Sequence, residues 1–598
     1  MRIAIIGMGA TGLLALAKTF SMAKRHPNMS VIVHAFDAQA PGQGVHRCDQ
    51  ADYLRLNTVA GQLSMFEDDD FTLFPRHTFR PSLYEWVAHL HPEAISGEQD
   101  RFAFLPRRYL GLYLQWYFTR LLEHIPINVR LETSCRLIRG VEEEPDGRFR
   151  LLASPIVSGA YDTLLLCTGH GVLPSGTHAA PFIRPYPLPA SLEDIASDSS
   201  VAVQGVGLTA MDVVAALTTG RGGVFEHTAG GLSYRPSGQE PRISLYSNSG
   251  MPYRARPEVD DAVIRYQPLL LTHAAIDRLR DQAPGRRLDF EKDLLPLLYQ
   301  EMTAAYYCAC AGQDERNAYR YQERYQQVWE QVQTAQATGT LSATFDRLAS
   351  EYGPYTPQDI LTCTPPPHLT ADTYPQWFVS QLQEDVHASA LGCRRSPLKK
   401  SLEIWRDLRN QLCHAIDHRG LTPASHQAFF TRYCPLINRL VAGPQKERHA
   451  ELIALIQSGV VELLPGYAAA EHYNPDTQTF TVTLEKPDYQ QFKFEHLIKA
   501  NLSTQATQRE LHTLLSAITE QPSSYSPLAY GDFSSAHHPE FVHAHLRERI
   551  YIFGPVLEGS SYYNHYVPSN APSRISAALD KSLSNAVNHF NHRFSEIF

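Results

Sequence analysis

Residues 1–6 are a short apolar run, and from Gly7 to Lys18 the apolar positions change to a period near 3.6, which predicts strand, tight turn and helix. A second apolar run over 30–36 ends at Asp37, so the opening reads as a β-α-β unit. The same sequence of signals returns much later. An apolar run at 200–204 leads into a glycine turn, a helical stretch at 211–217 and a further strand at 243–246. From 257 to 417 the pattern changes. Stretches 288–307, 318–335 and 397–413 read as helices rich in Leu, Tyr and Gln, broken by Gly353-Pro354 and Pro365-Pro366-Pro367. After Glu462 short strand-like runs alternate with turns, and a last helix follows Ser573. No solenoid-type repeat is present, so the two glycine turns mark two similar units rather than an array.

Composition narrows the class. A chain of 598 residues exceeds one compact core, and 43% hydrophobic with 19% charged residues excludes a mostly disordered chain. The net charge of −9 argues against a nucleic-acid surface, which needs concentrated Lys and Arg. No run approaches the roughly 20 apolar residues of a membrane span. The first residues lead straight into structure without a leader pattern, so the expectation is a soluble, cytoplasmic protein. Nine cysteines without a C-x-x-C pair are expected to be reduced, structural thiols.

Gly7-Met8-Gly9-Ala10-Thr11-Gly12 fits the G-x-G-x-x-G pattern between a strand and a helix. The first glycine permits the turn, the second lets a pyrophosphate approach, and the third lets helix and strand pack closely. Asp37, at the next strand end, suits a ribose hydroxyl pair. The motif does not distinguish FAD from NAD. Gly205-Val206-Gly207-Leu208-Thr209-Ala210 repeats the arrangement, but no acid follows Tyr246; Arg254 and Arg256 lie close behind and would suit a 2′-phosphate. The expected fold is therefore α/β: two Rossmann-like dinucleotide-binding domains with a helical insertion. The expected boundaries are 1–185 for the first domain, 186–257 for the second, 258–417 for the insertion, 418–480 for a return through the second, and 481–598 for completion of the first. Two such units imply a nicotinamide that reduces a bound flavin.

Further stretches carry a resemblance. Leu56-Asn57, Ser64-Met65-Phe66, Phe104-Leu105-Pro106-Arg107, Leu166-Cys167-Thr168-Gly169-His170 and Gly250-Met251-Pro252 look like blocks of a family of FAD/NAD(P)-binding flavoproteins. Ser396-Pro397-Leu398-Lys399, Trp405-Arg406-Asp407-Leu408-Arg409, Gly420-Leu421 and Phe553-Gly554-Pro555 with Glu558-Gly559 resemble one branch of it, which includes the aspartate N-hydroxylases that form nitrosuccinate. The resemblance implies FAD, NADPH and O2. It places the ADP half of FAD on Gly7, Gly9, Ala10, Thr11, Gly12 and Asp37, with Asn57 and Ser64 toward the isoalloxazine end and Gly169 at the crossover. Gly205, Gly207 and Ala210 would approach the NADPH pyrophosphate. Relatives often carry paired arginines where this chain has Asn248-Ser249.

Lys399 and Arg406 lie seven positions apart, on one helix face, and are expected to grip the carboxylate of a small-molecule amine substrate. His537, His538, His543 and His545 lack a metal-ligand helix pair, and no metal is expected. No nucleophile elbow or acid–base pair stands out, so no catalytic residue is assigned. The expected function is an FAD-dependent, NADPH-using monooxygenase that N-hydroxylates an amino acid or related amine through a C4a-hydroperoxyflavin. A flavin oxidoreductase working by hydride abstraction and a non-catalytic flavin-binding protein stay open, as does assembly into a homo-oligomer.

Overall fold

The computed structural model describes residues 1–67, 72–170, 181–229, 231–259, 264–361, 364–501, 504–519, 542–564, 568–569 and 573–595. The chain forms two compact units. Unit 1 is 1–175 with 416–419 and 503–598; unit 2 is 176–415 with 420–502.

Nine strands build two parallel sheets: β1 (Arg2–Ile6), β2 (Val31–Asp37), β3 (Val129–Cys135), β4 (Thr163–Leu166), β5 (Ser200–Gln204), β6 (Arg242–Tyr246), β7 (Val461–Leu463), β8 (His496–Lys499) and β9 (Ile550–Ile552). In unit 1 the order is β9-β4-β1-β2-β3, with Ile6 of β1 opposite Phe36 and Leu166. Alternate residues go to opposite faces of this sheet, and both faces are covered. Ile3, Ile5, Val33 and Leu165 pack with helix α1 (Ala10–Arg25) and its neighbours, while Ala4, Ile6, Leu164 and Ile552 pack with the hairpin strands Ile138–Glu143 and Phe149–Ala153. Burial on both faces explains why these strands read as continuous apolar runs rather than alternating ones.

In unit 2 the order is β7-β6-β5-β8, all parallel, with Val201 of β5 opposite Ile243 and His496. Helix α2 (Leu208–Leu217) follows β5, and nine of its ten residues are buried. The boundary expected at 481 moves. Residues 481–502 belong to unit 2, because β8 is the edge strand that completes its sheet and because Phe480, Val482, Leu484 and Phe494 share one core cluster with Ala202 and Leu497. The stretch expected to be helical holds Leu295–Gly312, Ala318–Thr338, α3 (Tyr374–Arg395) and α4 (Pro397–Asp407), and a break at Leu408 separates α4 from Arg409–Ile416. Helix α5 (Lys446–Gln457) then leads to β7, and α6 (Arg574–Ser595) ends the chain in unit 1.

Charges are buried deep in unit 2. Asp385 of α3, 1% exposed, receives Lys399 Nζ at 2.8 Å and the Ala255 amide, with Arg254 at 3.3 Å. Burial alone would raise this carboxyl; Lys399 and Arg254 outweigh it and hold the group below its ordinary value. His449 of α5 is 1% exposed, and its Nδ1 lies 4.0 Å from Asp385. Burial pushes the imidazole down to about 4, with Lys399 and Arg254 adding to the effect against the pull of Asp385. The unfolded chain therefore binds a proton between pH 6.5 and about 4 that the folded chain refuses. The stability this group contributes is present above pH 6.5 and drains as pH falls, by about 3 kcal/mol in all. His449→Gln should flatten the decline of unfolding free energy from pH 6.5 to 4.5, measured in urea against the parent chain. Parallel profiles would contradict this.

Candidate functional site

The C-terminal ends of β1, β2, β4 and β9 lie along one edge of the unit 1 sheet, where parallel sheets take their ligands. After β1 the Gly7 amide donates to Phe36 O at 2.8 Å, and Gly7 sits at φ +94°, where a Cβ would lie 2.3 Å from Cys167 O. A Cβ on Gly12 would lie 1.9 Å from Gly7 O. The first and third glycines are thus required by the turn itself. Gly9 differs, because its φ of −75° suits any residue. What it supplies is space, and the Gly42-Gln43-Gly44 loop comes close on its outer side. An added Cβ would meet Gly44 Cα at 3.2 Å, and Gly42 N donates to Met8 O at 2.9 Å.

Gly9 caps helix α1 without a side-chain hydrogen bond, and no acid sits in the first turn. The amides of Ala10, Thr11 and Gly12 therefore present the positive end of the helix, as a pyrophosphate requires. Asp37 accepts from Met8 N at 2.7 Å and Gln39 N at 3.0 Å, which fixes the carboxylate beside the turn and leaves lone pairs for ribose hydroxyls. Gly169, after β4, has φ +63° and open space where a side chain would stand. These residues fit the ADP half of a flavin dinucleotide.

The other residues expected in unit 1 behave differently. Ser64 is 2% exposed and locked in a local turn, its Oγ accepting from Phe66 N at 3.1 Å while its amide donates to Pro568 O. Tyr113 closes the same corner by donating to Pro81 O at 2.7 Å and accepting from Met65 N. Asn57 is half-buried on the loop before it.

In unit 2 the second glycine turn repeats the geometry. Gly205 has φ +123°, Gly207 caps α2 without a side-chain bond, and Ala210 is fully buried in the third place. One feature is its own: the Tyr253 ring lies 3.1 Å from where a Gly207 Cβ would be.

The charges singled out in the sequence have protein partners. Arg254 reaches Asp385, and Arg256, 9% exposed, donates to Val441 O at 2.9 Å beside Glu403 at 3.6 Å. Arg256 is buried and Arg254 is partly exposed, and both arginines expected at the 2′-phosphate hold protein partners within unit 2. Lys399, 2% exposed, is consumed by Asp385 and by Ala255 O at 2.8 Å, and it leaves the expected carboxylate grip. Arg406 pairs with Glu403 at 3.1 Å on its own helix. His537 and His538 lie outside the described residues, and His545 contacts Glu143 at 2.9 Å. Among the described residues no group of three or more His, Cys, Asp or Glu is placed to hold a metal ion, and no helix is long and apolar enough to cross a membrane.

Sequence reading missed residues 416–419. This segment belongs to unit 1, where Asp417, 4% exposed, accepts from Tyr562 N at 2.9 Å and pairs with Arg574 at 2.6 Å.

The FAD-NAD(P)-binding family matches residues 4–171, from β1 through the turn after β4. A nitrosuccinic acid synthase of Aspergillus oryzae is 31% identical over 488 residues, which is 77% of this chain and 73% of the relative. A nitrosuccinate-forming L-aspartate N-monooxygenase of Streptomyces davaonensis is 31% identical over 509 residues, 77% of this chain and 76% of its own. Among solved structures, an L-lysine 6-monooxygenase from Pseudomonas syringae aligns with 98% of this chain and 99% of its own, at a TM-score of 0.45 and 10% identity.

Proposed function

We propose that this chain, which belongs to the family of the nitrosuccinate-forming L-aspartate N-monooxygenases, hydroxylates the amine of L-aspartate. It is a flavin-dependent monooxygenase, with NADPH as reductant and dioxygen as second substrate. The observation that carries the substrate is an identity of 31% maintained over 77% of the chain with relatives named for that reaction.

In this reading the two parallel sheets are two Rossmann-like dinucleotide domains, and the helices within 258–417 are an insertion. Ala10, Thr11 and Gly12 offer amides to the FAD pyrophosphate across the gap kept by Gly9, and Asp37 takes the ribose. Asn57 and Ser64 belong to the loops toward the isoalloxazine end, and Gly169 leaves room at the crossover. Gly205, Gly207 and Ala210 form the cradle for NADPH. When bound, the flavin supplies the activation of oxygen; the chain's share is to orient the amine and exclude water. One turnover consumes the amine, O2, NADPH and a proton, and yields the N-hydroxylamine, water and NADP⁺. Continued oxygenation of the same nitrogen leads toward nitrosuccinate.

The test is NADPH oxidation by the FAD-loaded chain with L-aspartate, D-aspartate, L-glutamate, L-ornithine and L-lysine. L-Aspartate should accelerate it at least about tenfold more than the others, the discrimination that a site built for one polar group pattern provides. Preference for a diamine would count against the reading. Bleaching of the flavin by substrate without NADPH would favour hydride abstraction instead.

A further inference from the structure

We propose that His418 and Arg419 are substrate-positioning residues, and that together they receive the carboxylates of the amino-acid substrate. The inference rests on the L-aspartate reading and names the residues that give it specificity.

Six non-glycine residues have left-handed backbone among the described residues, and three of them, His418, Arg419 and Tyr563, belong to one small cluster in unit 1. Such conformations are strained and persist where surrounding structure over-determines them. The surroundings here do so. Asp417, adjacent in sequence, is buried and held by Tyr562 N and Arg574. On the facing loop the Glu558 carboxylate accepts from Tyr563 N at 3.3 Å and Asn564 N at 3.0 Å, and Asn564 is 2% exposed.

That loop leaves β9 through Phe553-Gly554-Pro555, at the same sheet edge that carries the glycine turn and Gly169. The segment 416–419 is thereby tied, through Asp417 and Tyr562, to the loop that leaves this edge of the sheet. Arg574 neutralises Asp417, and the two residues that follow Asp417 are exposed and basic. His418 and Arg419 each make interactions of their own within the chain. A dicarboxylate amino acid needs two adjacent donor groups, carried on backbone held firmly enough that little conformational freedom is lost on binding. A guanidinium gives one carboxylate a two-point contact, and the neighbouring imidazole serves the other. This is the role that Lys399, closed inside unit 2, does not fill.

The experiment uses the FAD-loaded full chain and its Arg419→Ala, Arg419→Lys and His418→Ala variants, with flavin content as the check on folding. Binding of L-aspartate is measured by calorimetry alongside KM, kcat and hydrogen peroxide released per NADPH. Arg419→Ala should weaken binding and raise KM by about 30-fold or more, the loss expected when the bound carboxylate desolvates the guanidinium and one partner of that pair is then removed. Peroxide release should rise with it. Arg419→Lys should recover part of the affinity, and His418→Ala should lose less than Arg419→Ala. A parent chain that neither binds nor oxidises L-aspartate would overturn the substrate reading and this inference together. A parent that uses L-aspartate beside an Arg419→Ala variant within twofold of it in KM and binding would overturn the inference alone.

Discussion

Gly9→Val should purify as a folded, colourless protein, with flavin content at least about 100-fold below the parent chain after gel filtration, because a branched side chain would fill the gap that a pyrophosphate must enter. The choice among the three glycines matters. Gly7 needs its positive φ and Gly12 its bare Cα, so variants there destroy the turn and test only folding. Gly9 has φ −75°, which valine accepts, and the first contact of an added Cβ is Gly44 Cα at 3.2 Å. The loop 42–44 can yield a few tenths of an ångström; the diphosphate cannot share the remaining space with two methyl groups. Far-ultraviolet circular dichroism should match the parent. A yellow Gly9→Val protein with parental flavin content would show that the dinucleotide lies elsewhere.

Glu301→Ala should lower the thermal midpoint of unit 2 by roughly 10 °C or more. Glu301 is fully buried on Leu295–Gly312, and its carboxylate gathers four donors: Tyr266 OH at 2.5 Å and the amides of Leu269, Leu270 at 2.7 Å and Leu271 at 2.8 Å. Three consecutive amides converge on one side chain, so removing the carboxylate takes the acceptor from all three at once. Each buried donor left unsatisfied costs about 1–3 kcal/mol, which puts the sum beyond the usual range for a single substitution. Burial raises the Glu301 carboxyl, and the four donors oppose that rise. Glu301→Gln keeps an acceptor and should lose clearly less than Glu301→Ala. Calorimetry that shows the alanine variant within about 2 °C of the parent would contradict the account.

What could be read from the sequence was local. The strand, turn and helix of 1–37 follow from periodicity and glycine spacing, and the structure places Asp37 at the strand end beside the turn. The helices after 257 were legible for the same reason, because a 3.6-residue period survives whatever the helix packs against. The charges were not legible. Lys399 and Arg406 do share a helix, but the partner that decides the fate of Lys399 is Asp385 on the preceding helix, and Arg254 meets that same Asp385 from 131 residues away. Whether a basic residue is a ligand contact or half of a buried pair depends on such distant carboxylates, and no spacing rule reveals them. The boundary expected at 481 was misplaced for a similar reason: Leu497-Ile498, between His496 and Lys499, gives no sign of which sheet it joins until its register on β5 is known. Residues 416–419 carried only Gly420 as a signal. Left-handed histidine and arginine leave no pattern in a sequence, because the strain is imposed by the contacts of Asp417.

In the proposed function, each turnover places one atom of dioxygen on the nitrogen of L-aspartate. The most direct test is a reaction of the FAD-loaded chain with L-aspartate and NADPH under isotopically heavy oxygen gas, analysed by mass spectrometry. The products should carry heavy oxygen on nitrogen, keep the four-carbon skeleton and carbon–nitrogen bond intact, and form only when NADPH is present. Oxaloacetate and ammonia, or complete diversion of NADPH to hydrogen peroxide with L-aspartate unchanged, would contradict it.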